Sequence, residues 1–352
     1  MSHKTAAYLP DLDGVRTLAV LMVIVHHWYR GNIHFFHYGG AMGVGLFFVL
    51  SGFLITNILL VQKEAFQNGS FEKKWAILKT FYIRRTLRIF PIYYLYISVL
   101  LILGIGQVRE IWPWLYGYAY NILLFLTNNW HSGYLEHLWS LAIEEQYYLI
   151  WPILILIWPS NRLWWLVFGF IFLAMGTRTF LYLQNPASQF SKFPVCQFDA
   201  FGIGTALSLL YRRGITLKWA WFGWIFFWLL SFATKWNVVH FRGLSLIGQV
   251  IPFYFVGCGF LIYQAAMGTR GIAALFFKNR WVIYLGKVSY GLYLYHLFVP
   301  DLVLHFNFQW GFPIRSQALN WMVYAALTLG ITSFSWHFIE KPINGLKQKF
   351  GY

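Results

Sequence analysis

Long runs of apolar residues, broken by short polar turns, fill the chain from residue 13 to residue 339. Such runs predict helices long enough to cross about 30 Å of hydrocarbon. They fall at 13–30, 41–61, 88–106, 138–158, 163–183, 194–211, 217–234, 244–266, 281–304 and 317–339. The pattern predicts an all-α, polytopic integral membrane bundle of about ten transmembrane helices. No tandem repeat or low-complexity linker interrupts it, so residues 1–352 read as a single membrane domain.

One apolar segment breaks the alternation. WPWLYGYAYNILLFLT, residues 112–127, looks like a span, yet counting from either terminus puts both of its flanks on the same side. It is therefore expected to be interfacial or re-entrant, since irregular backbone at depth needs protein or water around it. The alternative is eleven spans with one terminus outside.

Composition agrees with the pattern. Of 352 residues, 59% are hydrophobic and 11% charged, and the mean hydropathy is +0.54. Soluble domains carry about 25% charged residues. The net charge of +16 comes from basic residues in short loops, at 63–88, 212–218, 268–287 and 341–349. The positive-inside rule makes these loops and both termini cytoplasmic. Nucleic acid is therefore not expected as a partner. A basic inner face suits anionic lipid heads or a phosphorylated substrate. The two cysteines, Cys196 and Cys258, have no metal-ligand spacing and read as packing residues, with no metal expected. The polar start MSHKTAAYLPDLDG shows no signal-peptide cleavage site.

Against this background, ionisable residues within spans are the candidates for function. Arg16 and His27 stand eleven residues apart on the first span, about 16 Å of helix rise. An Arg16 at the inner edge puts His27 past mid-membrane. His26 is rotated about 100° from His27 and faces elsewhere. In HLWSLAIEEQYYLIWP, Glu144 and Glu145 lie about two turns inside the fourth span. Either could orient a histidine or act as an acid. In FYIRRTLRIFP, Arg84, Arg85 and Arg88 mark the mouth of the third span, and the i, i+3 pair Arg85 and Arg88 shares a face. Two such forks suit a phosphorylated ligand. Ser51 sits in the glycine-dense second span without a GxSxG elbow. Asp13, Asp199, Tyr290, His296 and Glu340 are further polar positions at or within spans. Each also has a structural reading: interfacial histidines, hydrogen-bonded buried acids, a positive-inside stop signal, glycines for packing.

Taken in order, LDGVR at Leu12–Arg16 followed by His27, then GVGLFFVLSGFLIT, FYIRRTLRIFP, HLWSLAIEEQYYLIWP, SYGLYLYHL and FIEKP resemble the acyltransferase-3 family of bacterial membrane proteins. Six motifs in this order cover nearly the whole chain. The resemblance implies a membrane acyltransferase, O-acetyltransferase-like, that acylates a surface or lipid-linked glycan. It implies that Arg16 and His27 are essential, that Arg85 and Arg88 form an RxxR motif, and that Ser51–Phe53 and an acid of WSLAIEEQ have roles. On that reading acetyl-CoA is the cytoplasmic donor, held by Arg85 and Arg88 with Arg84 and Ser51 nearby. His27 is then the base or acyl carrier, Glu144 or Glu145 sets its tautomer, and amides of the glycine-rich second span meet the oxyanion. Asp13, Asp199, His296 and Tyr290 would be supporting residues. Because the last span lies close to residue 352, the chain is expected to lack the added esterase-like domain of some family members. A polytopic transporter or flippase for an anionic or glycan substrate is the alternative, although residues 13–158 and 163–339 share no motif.

Overall fold

A computed structural model describes residues 8–29, 34–65, 71–131, 133–235, 252–310 and 316–351. Helix α1 (Asp11–Trp28) carries Asp11 and Asp13 in its first turn, where carboxylates meet the positive end of the helix dipole. Asp11 also accepts hydrogen bonds from the backbone N–H and hydroxyl of Thr269, at 2.6 and 2.7 Å. The chain continues through α2 (His34–Ala65), α3 (Phe71–Leu103), α4 (Val108–Tyr116), α5 (Tyr120–Thr127), α6 (Leu138–Ile157), α7 (Leu163–Gln184), α8 (Phe198–Arg212) and α9 (Ala220–Lys235). Then follow α10 (Phe253–Ala266), α11 (Ile272–Phe277), α12 (Arg280–Lys287), α13 (Ser289–Tyr295), α14 (Phe298–Trp310) and α15 (Gln317–Ser335). A π-helical turn, Trp336–Glu340, leads into α16 (Lys341–Gly345). Among the described residues there is no β-strand.

Five stretches are long and apolar enough to cross a membrane: Tyr38–Ala65, Phe71–Leu103, Gly133–Ile157, Ser160–Gln184 and Gln317–Lys349. Their outward faces are apolar. Phe168, Phe172 and Leu183 on α7, and Leu149, Ile153 and Ile157 on α6, are exposed, as expected of surfaces that meet lipid rather than water. α2 is the central helix, packed against α1, α6, α8 and α10. Its glycines serve that packing. A Cβ at Gly52 would lie 2.3 Å from the carbonyl oxygen of Phe201, and one at Gly204 of α8 would lie 2.1 Å from that of Val49. Only glycine allows two backbones to approach so closely.

The elements depart from the expected spans in three places. α3 begins at Phe71, so much of the basic loop expected over 63–88 is helix, and the arginines lie along its side. The span expected at 281–304 is broken into α12, α13 and α14. The span expected at 194–211 starts as a 3₁₀ turn, with α8 beginning at Phe198. Of the span at 244–266, residues 244–251 lie outside the described residues, and α10 accounts for the rest. Segment 112–127 is no single helix. It lies across α4 and α5, of nine and eight residues, too short to cross at about 1.5 Å per residue. Their joint puts Tyr118 at φ +49°, a left-handed conformation rare for a bulky side chain. Protein groups satisfy the backbone there. Tyr93 and Tyr94 donate to the carbonyls of Leu115 and Tyr116 at 2.9 and 3.1 Å, and Gln146 donates to that of Tyr118 at 2.8 Å.

Polar contacts gather the basic segments at one end of the bundle. Lys63 caps α6 by donating to the carbonyls of Ile155, at 2.8 Å, and Trp158. Arg212 pairs with Glu64, and Arg84 donates to the carbonyls of Lys347 and Phe350. His27, the start of α6 and Lys192 belong to the opposite end.

Asp199 falls outside the functional cluster. It forms a buried, two-pronged pair with Arg178 of α7, which also donates to the carbonyl of Cys196. Both cysteines are buried and free. Removing one partner of such a pair leaves an uncompensated buried charge, at a cost of about 3–5 kcal/mol. Arg178→Ala should therefore lower the melting temperature in detergent sharply. Arg178→Met combined with Asp199→Leu should recover most of the loss. Equal melting temperatures for wild type and Arg178→Ala would show that the pair is not structural.

Candidate active site

Residues from five helices line a cavity of about 90 Å³. α1 contributes Arg16 and α2 contributes Ser51. Arg85 and Arg88 come from α3, Glu144, Glu145 and Tyr148 from α6, and Ser289, Tyr290 and Tyr293 from α13. The i, i+3 spacing puts both α3 arginines on the cavity face, whereas Arg84 turns about 100° away to the C-terminal segment.

Each charge has a different environment. Arg16 is paired with Asp13, which also accepts from the Tyr8 hydroxyl. Arg85 lies over the rings of Tyr148 and Phe81, at 4.9 and 5.6 Å from their centroids. Cation–π contact of this kind holds the guanidinium without using its N–H groups. Arg88 makes no hydrogen bond or ion pair among the described residues. Glu144 accepts from the Ser51 hydroxyl, which also lies 3.0 Å from the hydroxyl of Tyr148. Tyr290 donates to the Ile89 carbonyl at 3.3 Å. Glu340 is buried against α13, with Ser335 donating to it at 3.0 Å and a Cβ on Gly291 meeting it at 3.3 Å.

Tyr293 closes one side of the cavity. Its hydroxyl lies 2.6 Å from that of Ser140 and 3.3 Å from the carbonyl of His137. Against its ring pack His137 and His296, at 5.4 and 5.7 Å between centroids. His27 joins them: its Nδ1 is 3.1 Å from Nε2 of His296 and 2.9 Å from the carbonyl of Val23. His296 Nδ1 is 2.7 Å from the carbonyl of Tyr293. Carbonyls only accept, so both rings carry their proton on Nδ1. The Nε2 of His27 then holds a free lone pair. His26 packs edge-on to His27 at 4.8 Å and crowds Gly40.

The structure thus brings together Arg16, Ser51, Arg85, Arg88, Glu144, Glu145 and Tyr290 in one cavity, with Asp13 behind Arg16. It sets His27 and His296 beside each other behind Tyr293. Four expectations fail. Asp199 is spent on Arg178, and Arg84 turns to the C-terminal segment instead of the cavity. Neither Glu144 nor Glu145 sets the tautomer of His27, because Glu144 is engaged with Ser51 and the imidazole meets Val23 and His296 instead. The glycine-rich part of α2 is continuous helix, so its amides are spent within the helix and its glycines on packing. Sequence reasoning also passed over His137, Ser140, Tyr148 and Tyr293. All four stand in quoted motifs, and Tyr293 falls one helical turn from both Tyr290 and His296.

Comparison with known proteins adds to this geometry. The sequence profile of one family, described as an acyltransferase domain, matches residues 9–340. The peptidoglycan O-acetyltransferase OatA of Listeria monocytogenes is 31% identical over 96% of this chain and 56% of its own length. A putative peptidoglycan O-acetyltransferase of Bacillus subtilis, YrhL, is 30% identical over 97% and 56%. A putative O-acetyltransferase of Staphylococcus aureus is 28% identical over 97% and 58%. The chain thus spans a little over half the length of these relatives. No solved structure matches it.

Proposed function

The chain belongs to the acyltransferase-3 family, and from that premise we propose that it transfers an acetyl group from acetyl-CoA to a hydroxyl of a cell-envelope glycan, with peptidoglycan as the acceptor class. The observation that carries this reading is the single cavity that joins Arg16, Arg85 and Arg88 and abuts, across Tyr293 and Ser140, a histidine pair with one free lone pair. The names of the relatives support the acetyl group and the glycan.

In this reading the donor enters from the basic end. Arg88, unpaired among the described residues, and Arg85, cradled by aromatic rings, meet its phosphates, and Arg16 adds a third charge. The thioester reaches the Tyr293 side of the cavity, and the acceptor approaches from the opposite end of the bundle. The acceptor hydroxyl gives its proton to Nε2 of His27, and its oxygen attacks the acetyl carbonyl carbon. The C–S bond breaks, and the sulfur takes the proton back from His27. The same lone pair serves a route in which His27 first carries the acetyl group. The basic end faces the cytoplasm with both termini, and the histidine end faces outward across the inner membrane. Purified protein that neither hydrolyses acetyl-CoA nor transfers its acetyl group would favour the transporter alternative.

Labelling of single cysteines tests the orientation. A cysteine at Asn129 should react with an impermeant reagent from outside, and one at Ile215 should not. The opposite pattern overturns the arrangement.

Arg88→Ala and Arg85→Ala should each weaken CoA binding by about 1.5–3 kcal/mol, the range for hydrogen bonds to charged groups. Lysine should rescue Arg88 poorly because it lacks the planar fork. Unchanged affinity in both variants would leave these arginines without a donor role.

His27→Ala should lower transfer by about 10²–10⁴-fold, the usual contribution of a positioned base, while CoA binding survives. His26→Ala should retain substantial activity. Labelled acetyl-CoA without acceptor separates the two routes: label on the His27 peptide indicates the carrier, and its absence with intact transfer indicates the base. Near-normal transfer by His27→Ala would remove His27 from the chemistry.

A further inference from the structure

A second imidazole beside His27 is not used by the steps above. His296 is fully buried. Three contacts fix it: its Nδ1 faces the Tyr293 carbonyl at 2.7 Å, its own carbonyl accepts from Trp28 Nε1 at 2.8 Å, and His137 packs edge-on against its ring at 5.2 Å. With Nδ1 committed as a donor, its Nε2 can only accept, and the N–H within reach is Nδ1–H of His27 at 3.1 Å.

We propose that His296 is the positioning residue of His27, in the place that a carboxylate would otherwise take. Its neutral Nε2 accepts the Nδ1–H of His27, holds that ring with Nε2 presented to the reaction, and carries part of the positive charge while His27 holds the acceptor proton. The proposal rests on the reading of His27 as the reacting group.

The chemistry favours a neutral partner. A carboxylate here would be a buried anion at rest and would need further donors to offset its desolvation. An imidazole acceptor leaves the resting pair uncharged, and charge exists only during transfer. The proton comes from the acceptor hydroxyl to His27 Nε2 and leaves with the departing sulfur. The hydrogen between His27 Nδ1 and His296 Nε2 shifts toward His296 and returns, so neither ring changes over the cycle. The carbonyl of Val23 shares that hydrogen. The tautomer therefore survives without His296, and what is lost is the second acceptor that steadies the ring and its charge. Loss of His296 should act on the rate, not on donor binding.

The test uses the full chain in detergent or nanodiscs, with acetyl-CoA as donor and peptidoglycan glycan fragments as acceptor. His296→Phe keeps a ring and removes the acceptor atom. It should lower kcat about 10–100-fold, the range seen when a metal-bound histidine loses its outer partner, with KM for acetyl-CoA unchanged. His296→Gln supplies an amide oxygen as acceptor and should recover most of that loss. Wild-type rate in His296→Phe, or equal loss in Phe and Gln, overturns the proposal. A reading on the unaltered protein stands beside these variants. With 15N-labelled histidine, coupling between His27 Nδ1 and His296 Nε2 across their hydrogen bond is expected, and its absence also overturns the assignment. His27→Ala, assayed in parallel, separates the two levels. If it is fully active, the reading of His27 fails. If it is inactive while His296→Phe is normal, only the role of His296 fails.

Discussion

An unpaired polar group inside an apolar bundle is costly, since neither lipid nor apolar side chains can replace water. Most of this fold can be understood as the consequence. Asp11 ties the start of α1 to Thr269, Lys63 closes the open carbonyls of α6, and Arg178 and Asp199 neutralise each other. The bend between α4 and α5 is tolerated because Tyr93, Tyr94 and Gln146 supply donors to its carbonyls. The same constraint makes exceptions informative. Buried polar atoms without a partner occur at several places among the described residues, Tyr120, Ser208 and Thr328 included. On the cavity wall the exception is Arg88, and on the histidine wall it is His137. A ligand that completed those hydrogen bonds would find the desolvation cost already met by the fold.

α1 sets the distance between the two kinds of chemistry. It is unbroken from Asp11 to Trp28, so Arg16 and His27 are held about 16 Å apart. Tyr293 and Ser140 stand between the cavity of arginines and carboxylates and the cluster of imidazoles. A long donor with an anionic head and a reactive thioester tip matches such a division. The head can remain among Arg16, Arg85 and Arg88 while the tip meets the wall of Tyr293. The aromatic cradle of Arg85 has a parallel purpose: Tyr148 and Phe81 satisfy its faces and leave its in-plane N–H groups for a ligand.

Much of this was legible in the order of residues. Apolar runs mark the helices, and the spacing of Arg85 and Arg88 puts both on one face. Segment 112–127 betrays itself by breaking the alternation of sides. Other features were hidden because they depend on contacts between distant elements. Arg178 is one basic residue in an apolar run until Asp199 is brought against it. Nothing in hydropathy separates the lateral arginines of α3 from a loop, and Gly286 and Ser289 give little warning that 281–304 bends twice. The expected contact between an acid and His27 failed for a particular reason. Residue type suggested an acid as the natural partner of a histidine, but the register of α6 directs Glu144 to Ser51. The partner comes instead from α13 and its following turn.

That substitution of partner follows from the same cost of buried charge. A carboxylate near Ser51, Tyr148 and Arg85 has donors and a counter-charge around it, so Glu144 is supported where it lies. Around His296 the neighbours are the rings of Tyr293 and His137, with the Tyr293 hydroxyl engaged by Ser140 and the indole N–H of Trp28 spent on the carbonyl of His296. An anion placed there would have too few donors, whereas a neutral imidazole needs only the acceptor for its own N–H that the Tyr293 carbonyl provides. The cavity thus keeps its charges where a charged ligand can balance them. Around His27 stand polar groups that are neutral at rest and acquire charge only when a proton arrives.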